Sequence, residues 1–99
     1  MDLGITIKNL RKQKGIKQIS LAKMSGISQT YLSQIEHNLK EPNVSILKII
    51  AKQLGIPLPV LFFLSLDYDD IMPEKRSAYD HLAPSIKSMI TEFFTNTPS

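Results

Sequence analysis

Residues 18–35 read QISLAKMSGISQTYLSQI, and this stretch decides the fold. Leu21 and Ala22 share one face of a predicted two-turn helix, and the small alanine allows a neighbouring helix to approach closely. Gly26 follows that helix and suits the left-handed conformation in which many helices end. Ser28 can then cap a further helix, whose apolar residues recur at helical spacing. Two helices joined by so tight a glycine turn form a helix-turn-helix.

Helices are also predicted on both sides of this unit. The first has apolar residues spaced four and three apart from Leu3 and stops at Gly15, and the second spans Gln18–Ser25. The third follows the glycine turn. A fourth begins behind a capping Asn43 and closes at Gly55.

The fifth predicted helix differs from the others because its middle is apolar on every side. It runs from Pro57 to about Leu66 and reads VLFFL over residues 60–64. A surface helix of that composition needs a second surface to cover it. Residues 1–66 are therefore predicted to form one all-α domain of five helices.

Residues 67–99 are predicted to be an acidic linker followed by a C-terminal helical tail. A short helix is predicted from Pro73 to His81 and another from Pro84, while Asn96–Ser99 should fray. The helix after Pro84 carries an apolar stripe at Ile86, Met89, Ile90, Phe93 and Phe94. We expect this stripe to pack onto the domain or onto a second copy; the alternative is that it binds a regulatory partner.

Basic residues are concentrated in the larger, N-terminal part of the chain. The net charge of the 99 residues is +3, but residues 1–64 hold nine of the twelve Lys and Arg and only three of the nine Asp and Glu. A basic domain favours a polyanionic partner, although a solvated lysine face would give the same counts. The hydrophobic content of 42%, without a membrane-length apolar run, a leader pattern or any cysteine, predicts a cytoplasmic protein without disulfides.

The third helix has an outer face that is polar but uncharged. The amide of glutamine can pair with N6 and N7 of adenine, and hydroxyl groups can bond several bases. Because solvent-exposed faces usually carry Lys and Glu, this composition indicates readout of the DNA major groove. Four residues are predicted to contact bases: Gln29, Thr30, Ser33 and Gln34.

Several motifs together carry a family resemblance. They are Leu10-Arg11, Lys17 to Ala22, Ser25 to Ser28, Tyr31 to Glu36, Pro42 and Ala51 to Gly55. Over roughly residues 4 to 64 the chain resembles the Cro/C1-type, or Xre-family, helix-turn-helix regulators. The resemblance implies a five-helix, lambda-repressor-like, all-α domain that acts as a homodimer on a near-palindromic operator in double-stranded DNA. It also implies transcriptional regulation, usually repression or autoregulation.

Contacts to the DNA backbone are expected around the helix-turn-helix. Gln18, at the start of the second helix, can present its N–H and its side chain to a phosphate. From the matching positions of similar proteins, the amides around Asn38 and Leu39 should grip the flanking backbone. The residues expected to contact phosphate are Lys17, Gln18, Tyr31, His37, Asn38 and Lys40.

The resemblance also implies two structural roles. Arg11 and Glu36 match a pair that forms a partly buried salt bridge in similar proteins. Leu61 and Phe62 match core positions, so the other apolar residues of the fifth helix should point away from the core and join two copies. These dimer residues are Val60, Phe63 and Leu64.

Other classes of function have little support in the sequence. His37 and His81 are isolated, no glycine-rich phosphate loop is present, and the acidic residues of 67–70 lack the glycine and the distal glutamate of a calcium loop. No catalytic residue, metal or cofactor is therefore predicted. The alternative to DNA binding is a protein-interaction module that kept the helix-turn-helix scaffold, but such a surface would favour aromatic residues, Met and Arg.

Overall fold

The computed structural model describes residues 1–94, and all regular structure in that range is helical. The helices are α1 (Leu3–Gln13), α2 (Gln18–Met24), α3 (Gln29–Glu36), α4 (Val44–Gln53), α5 (Leu58–Leu64) and α6 (Arg76–Phe94). Two single 3₁₀ turns, Tyr68–Asp70 and Pro73–Lys75, lie between α5 and α6. The prediction of an all-α fold with five helices before the C-terminal extension is confirmed. The expected fraying of residues 96–99 lies outside the described residues.

Three of the helices begin at side chains that cap them. Asp2, Ser28 and Asn43 each accept a hydrogen bond from the backbone N–H three residues further on, at 2.9 to 3.0 Å. These bonds satisfy N–H groups that a helix start leaves without an internal partner. The cap at Ser28 fixes the first turn of α3, which is the turn that carries the first two predicted base contacts.

One hydrophobic core joins the first five helices. Its members come from α1 to α5 and from the turn after α4, and they are almost completely shielded from solvent. They are Ile7, Leu10, Leu21, Ala22, Leu32, Ile35, Leu47, Ile50, Ala51, Leu54, Ile56 and Leu61. Because α2 and α3 both contribute to this core, their mutual angle is held by packing as well as by the turn between them.

The C-terminal extension forms one helix where two were predicted. α6 runs through Pro84, which was expected to begin a second helix. Proline has no N–H, so the carbonyl of Asp80 loses its usual helical partner. Both residues are exposed, and water can satisfy that carbonyl, which explains why the helix continues.

α6 has an inner face toward the domain and an outer face toward solvent. The hydroxyl of Tyr79 and the ammonium of Lys87 both donate to the carbonyl of Leu66, at 3.0 and 3.4 Å. Phe94 continues this inner face and lines a groove beside Ile56 at the end of α4. The outer face holds the exposed Ile86, Met89 and Phe93. These three residues are therefore not fully covered by their own domain, and the expected packing onto a second copy stays a prediction.

The acidic segment before α6 is structured. Asp67 and Asp70 form a capping pair around the first 3₁₀ turn. Both carboxylates also contact the ammonium of Met1, at 3.2 and 2.7 Å. The segment is therefore tied to the beginning of α1, although it was predicted to be a solvated linker.

α5 is covered more fully than its sequence suggested. Val60 and Leu64 are half-buried and pack against the core, as does Phe62. Phe63 is also half-buried, and it lines a groove together with Ile71 of the segment before α6 and with Leu82 and other residues of α6. The prediction that Val60 and Leu64 point away from the core is therefore wrong, whereas the role of Val60, Phe63 and Leu64 in joining two copies stays a prediction. Phe63 instead faces the groove beside α6, whose position the sequence pattern could not give.

Among residues 1–94, no single helix is long and apolar enough to cross a bilayer; only α4 and α5 taken together, with a bend of 91° between them, meet that criterion. The described chain also brings together no group of three or more His, Asp or Glu side chains able to hold a metal ion.

Candidate nucleic-acid interface

The turn between α2 and α3 is built from backbone geometry and tight packing. Gly26 has a φ of 70°, in the left-handed region that favours glycine. The N–H of Ile27 then donates to the carbonyl of Ala22 at 3.0 Å and closes the end of α2. With Ala22 buried against the core, α3 leaves the turn at a fixed angle and exposes one side of its surface.

The predicted base-contacting residues lie together on that side. Gln29 and Thr30 are exposed in the first turn of α3, and Ser33 and Gln34 are half-buried one turn later. Together with Gln18 of α2, these four side chains line a surface concavity of about 310 Å³. The concavity therefore has five uncharged side chains, each with hydrogen-bonding groups and none committed to the hydrophobic core.

A chain of hydrogen bonds links this concavity to the protein interior. Nε2 of Gln29 donates to Oε1 of Gln18 at 3.4 Å, and Nε2 of Gln18 donates to Oε1 of Glu36 at 3.1 Å. The same Oε1 accepts from Nη2 of Arg11 at 3.0 Å. The side chain of Gln18 is thus held by two partners, and it orients the amide of Gln29 above it.

Arg11 and Glu36 form the buried end of the chain. Nε of Arg11 lies 2.8 Å from Oε2 of Glu36, so the two contacts together make a bidentate pair. Nη1 of Arg11 also donates to the carbonyl of Ile16, at 2.9 Å. Both charges are buried, and their pairing neutralises the only carboxylate of α3. No net negative charge is left on the helix beside the concavity.

The loop after α3 is held by Asn38. This residue has a φ of 59°, a left-handed conformation that asparagine tolerates better than most residues. Its Oδ1 accepts from the N–H of Gly4 at 3.1 Å, and its Nδ2 donates to Oδ1 of Asp2 at 2.8 Å. The start of α1 and the end of α3 are therefore joined by a clamp, which consists of Asp2, Gly4 and Asn38.

Gly4 and Asp2 support the end of α3, a role that the sequence pattern did not predict. A Cβ on Gly4 would meet Oδ1 of Asn38 and the carbonyl of Ile35 at 2.5 Å and the carbonyl of Glu36 at 2.8 Å, so only glycine allows this approach. The pKa of Asp2 is lowered below its usual value, first by the hydrogen bond from the side chain of Asn38 and to a smaller extent by the bond from the N–H of Ile5. A glycine in the first turn of a predicted helix was the one available signal, since glycine is unfavourable there without a packing reason.

The predicted phosphate contacts divide into two groups. Lys17, His37 and Lys40 are exposed, and Nδ1 of His37 lies 2.8 Å from the carbonyl of Ser33. Tyr31, in contrast, packs partly against the core. The exposed side chains of Lys17, His37 and Lys40 could turn toward a polyanion.

The expected grip from loop amides is not available in this structure. The N–H of Asn38 donates to the carbonyl of Ile35 at 3.0 Å, and the N–H of Leu39 donates to that of Gln34 at 2.8 Å. Both groups close the end of α3 and are already paired. The side chain of Asn38 is likewise engaged in the clamp, and that of Gln18 in the hydrogen-bond chain.

Comparisons with known proteins agree with this geometry. A family model described as helix-turn-helix matches residues 7–61. The ImmF control region 10 kDa protein of Bacillus phage phi105 is 44% identical over 81 residues, which cover 82% of this chain and 84% of that protein. The HTH-type transcriptional regulator RamB of Mycobacterium tuberculosis is 35% identical over 74 residues, which cover 75% of this chain but only 15% of RamB.

A solved structure shares the fold over almost the whole chain. The crystal structure of the clp gene regulator ClgR from Corynebacterium glutamicum superposes with a TM-score of 0.63 and covers 93% of this chain and 88% of that one. The sequence identity of 22% limits this likeness to the fold. Taken with the family match over α1 to α5 and the relatives named above, it leads to one assignment: the chain belongs to the Cro/C1-type helix-turn-helix family of DNA-binding transcriptional regulators.

Proposed function

We propose that this protein is a homodimeric repressor that binds a near-palindromic operator in double-stranded DNA. The observation that carries the proposal is the concavity beside α3, where Gln18, Gln29, Thr30, Ser33 and Gln34 offer uncharged hydrogen-bonding groups. In this proposal residues 1–66 contact DNA and residues 67–99 support the pairing of two copies. The protein acts by binding and performs no catalysis.

Gln29 is the principal base reader in this proposal. One N–H of its amide is used by Gln18, which leaves its carbonyl oxygen and its second N–H for a ligand. An acceptor and a donor side by side match N6 and N7 of adenine in the major groove. Because Gln18 is itself held by Glu36, the amide is oriented before DNA arrives, and less side-chain entropy is lost on binding.

Backbone contacts come from exposed lysines that flank α3 in the sequence. Lys17 and Lys40 are exposed on either side of α3 along the chain and have no ion-pair partner among the described residues. Each neutralised phosphate releases condensed counterions, which supplies affinity without sequence information. Specificity would then rest on α3 and affinity largely on these lysines.

Two copies are needed because one short helix reads few base pairs. A two-fold axis that places two α3 helices about 34 Å apart matches one turn of DNA and doubles the contacts. Repression requires nothing beyond occupancy, since a dimer bound over a promoter excludes polymerase.

The proposal is tested by selecting bound fragments from a random duplex library. We expect an enriched site with two inverted half-sites whose centres lie about one helical turn apart. The affinity for that site should exceed the affinity for scrambled duplex by roughly 10³-fold or more. A reporter that carries the selected site across its promoter should lose expression when the protein is supplied.

Two results would contradict the proposal. Recovery of no enriched sequence, with equal affinity for selected and scrambled duplex, would remove sequence-specific binding. An increase in reporter expression would leave DNA binding in place and replace repression by activation.

A further inference from the structure

We infer that the second copy docks on the outer face of α6, in an antiparallel helix pair in which Phe93 of each copy enters an apolar groove of the other. This inference rests on the proposed homodimer and names the surface that forms it. Its evidence is the pattern of exposure and concavity along a single face of α6.

The outer face of α6 carries an uninterrupted row of exposed apolar side chains. Leu82, Ile86, Met89 and Phe93 are 54%, 41%, 56% and 73% exposed. Their spacings of four, three and four residues are those of a helix–helix seam, in which successive residues face one partner helix. A solvated helix face would carry polar residues at these positions.

The two ends of this face differ in shape. A groove lies beside Leu82 at one end, and the exposed side chain of Phe93 forms a knob at the other. The groove has a volume of about 270 Å³ and is lined by Phe63 of α5, by Ile71 of the segment before α6 and by Ala78, Leu82 and Ile86 of α6, among others. A cavity of roughly 150 Å³ accepts a benzene ring, so this groove is large enough for a phenylalanine side chain. Phe93 lies 11 residues beyond Leu82 along α6, which is about 16 Å of helix.

Only one orientation of a symmetric pair brings knob and groove together. In an antiparallel pair centred between Ile86 and Met89, Phe93 of one copy lies opposite Leu82 of the other, beside the groove. A parallel pair would place the two Phe93 rings against each other and leave both grooves open. Two-fold symmetry makes the antiparallel contact isologous, so each copy supplies one knob and one groove.

The surface is also large enough for a stable contact. The exposed parts of the four seam residues amount to roughly 400 Å² of apolar surface, which is in the range of patches that are usually functional in soluble proteins. With the groove walls included, a symmetric pair would bury about 1,000 Å² in total, the size at which specific interfaces begin.

The first test measures the mass of the free protein without DNA. In sedimentation at roughly 100 μM, where a dimer of micromolar affinity is fully populated, the parent protein should be dimeric. Phe93→Asp removes the knob and Ala78→Trp fills the groove, and each should weaken dimerisation at least 10-fold. Leu39→Asp is the matched control, because Leu39 is also 73% exposed but lies outside this face, and it should remain dimeric.

The second test determines the orientation of the pair. The chain contains no cysteine, so single cysteines can be introduced at exposed seam positions without competing thiols. Under mild oxidation, a mixture of the Leu82→Cys and Phe93→Cys proteins should form the mixed disulfide, and Phe93→Cys alone should not cross-link. Rapid cross-linking of Phe93→Cys to itself would overturn the antiparallel pairing.

Failure of this inference can be separated from failure of DNA binding. A monomeric parent, or a Phe93→Asp protein that is as dimeric as the parent and melts at the same temperature, would overturn the inference. If the parent protein is monomeric and a different protein binds to the outer face of α6, that face belongs to a regulatory partner. Neither result requires DNA, so the specificity of α3 is measured independently.

Discussion

At the scale of single residues, the clamp between α1 and α3 holds the start of α1 against the end of α3. Gly4 allows the first turn of α1 to lie against the last turn of α3, and Asn38 closes the contact through two hydrogen bonds. The loop that follows α3, with the exposed Lys40, is therefore fixed relative to the rest of the domain. The proposed readout face of α3 thus depends on residues that need not touch DNA.

Gly4→Ala should destabilise the protein strongly. The added methyl group would lie within contact distance of two backbone carbonyls of α3, which cannot move without shifting the helix. Overpacking of this kind costs about 1 to 3 kcal/mol. The free energy of unfolding from denaturant titration measures the loss. The control is Ser45→Ala, on the exposed side of α4. A Gly4→Ala protein as stable as the parent would show that α1 and α3 are not in close contact.

Asp2 should make stability depend on pH at the acid end. Its pKa is lowered in the folded protein by the hydrogen bonds from Asn38 and Ile5. The stabilisation is therefore present above the unfolded pKa, near 4, and is lost as pH falls through the lower folded value. Asp2→Asn should be less stable than the parent at pH 6, and the difference should shrink toward about pH 2. A difference that stays constant over that range would contradict the assignment.

At the scale of elements, helix boundaries followed from local chemistry, whereas the contacts between elements did not. Ser28 and Asn43 act as caps and Gly26 takes a positive φ, as their sequence contexts predicted, because each acts within a few residues of the chain. The bond between Asn38 and Asp2 spans 36 residues and leaves no local pattern. The prediction that Pro84 begins a new helix was wrong for a related reason. A helix can continue through a proline where the carbonyl four residues earlier is exposed to solvent, and the local sequence does not show that exposure.

Pro84→Ala should stabilise α6. The substitution restores the N–H that can bond the carbonyl of Asp80, and alanine favours the helix interior by up to about 3 kcal/mol over proline. Hydrogen exchange of the amides of α6 should slow by roughly 10- to 100-fold. Ser85→Ala, at the adjacent exposed position, should change exchange far less. Unchanged or faster exchange in the Pro84→Ala protein would mean that α6 needs the proline.

At the scale of the whole molecule, charge and apolar surface are divided between two regions. Most of the cations lie in residues 1–64, and the outer face of α6 carries a row of four exposed apolar side chains. The sequence predicted the stripe of α6 from its periodicity, but it could not divide the stripe between inner and outer faces. That division depends on where α6 lies, which is fixed by Tyr79 and Lys87 at the carbonyl of Leu66.

Lys40→Ala should weaken binding to all DNA about equally. If Lys40 contacts only phosphate, its removal lowers the slope of log affinity against log salt by roughly one unit. Lys52→Ala is the control, since Lys52 lies on α4 and lines the groove beside Phe94. The slopes are obtained by titrating scrambled duplex at several salt concentrations. Equal slopes for the parent and Lys40→Ala would place Lys40 away from the DNA backbone.

The most direct measurement is the ratio of dissociation constants for the selected operator and for scrambled duplex, compared between the parent and Gln29→Ala. Loss of a bidentate contact to adenine costs about 1 to 3 kcal/mol, so Gln29→Ala should bind the operator roughly 5- to 150-fold more weakly. Its affinity for scrambled duplex should equal that of the parent, and Gln53→Ala, outside the concavity, should keep the full ratio. Equal weakening of Gln29→Ala on both duplexes, or an unchanged ratio, would contradict readout of bases by α3.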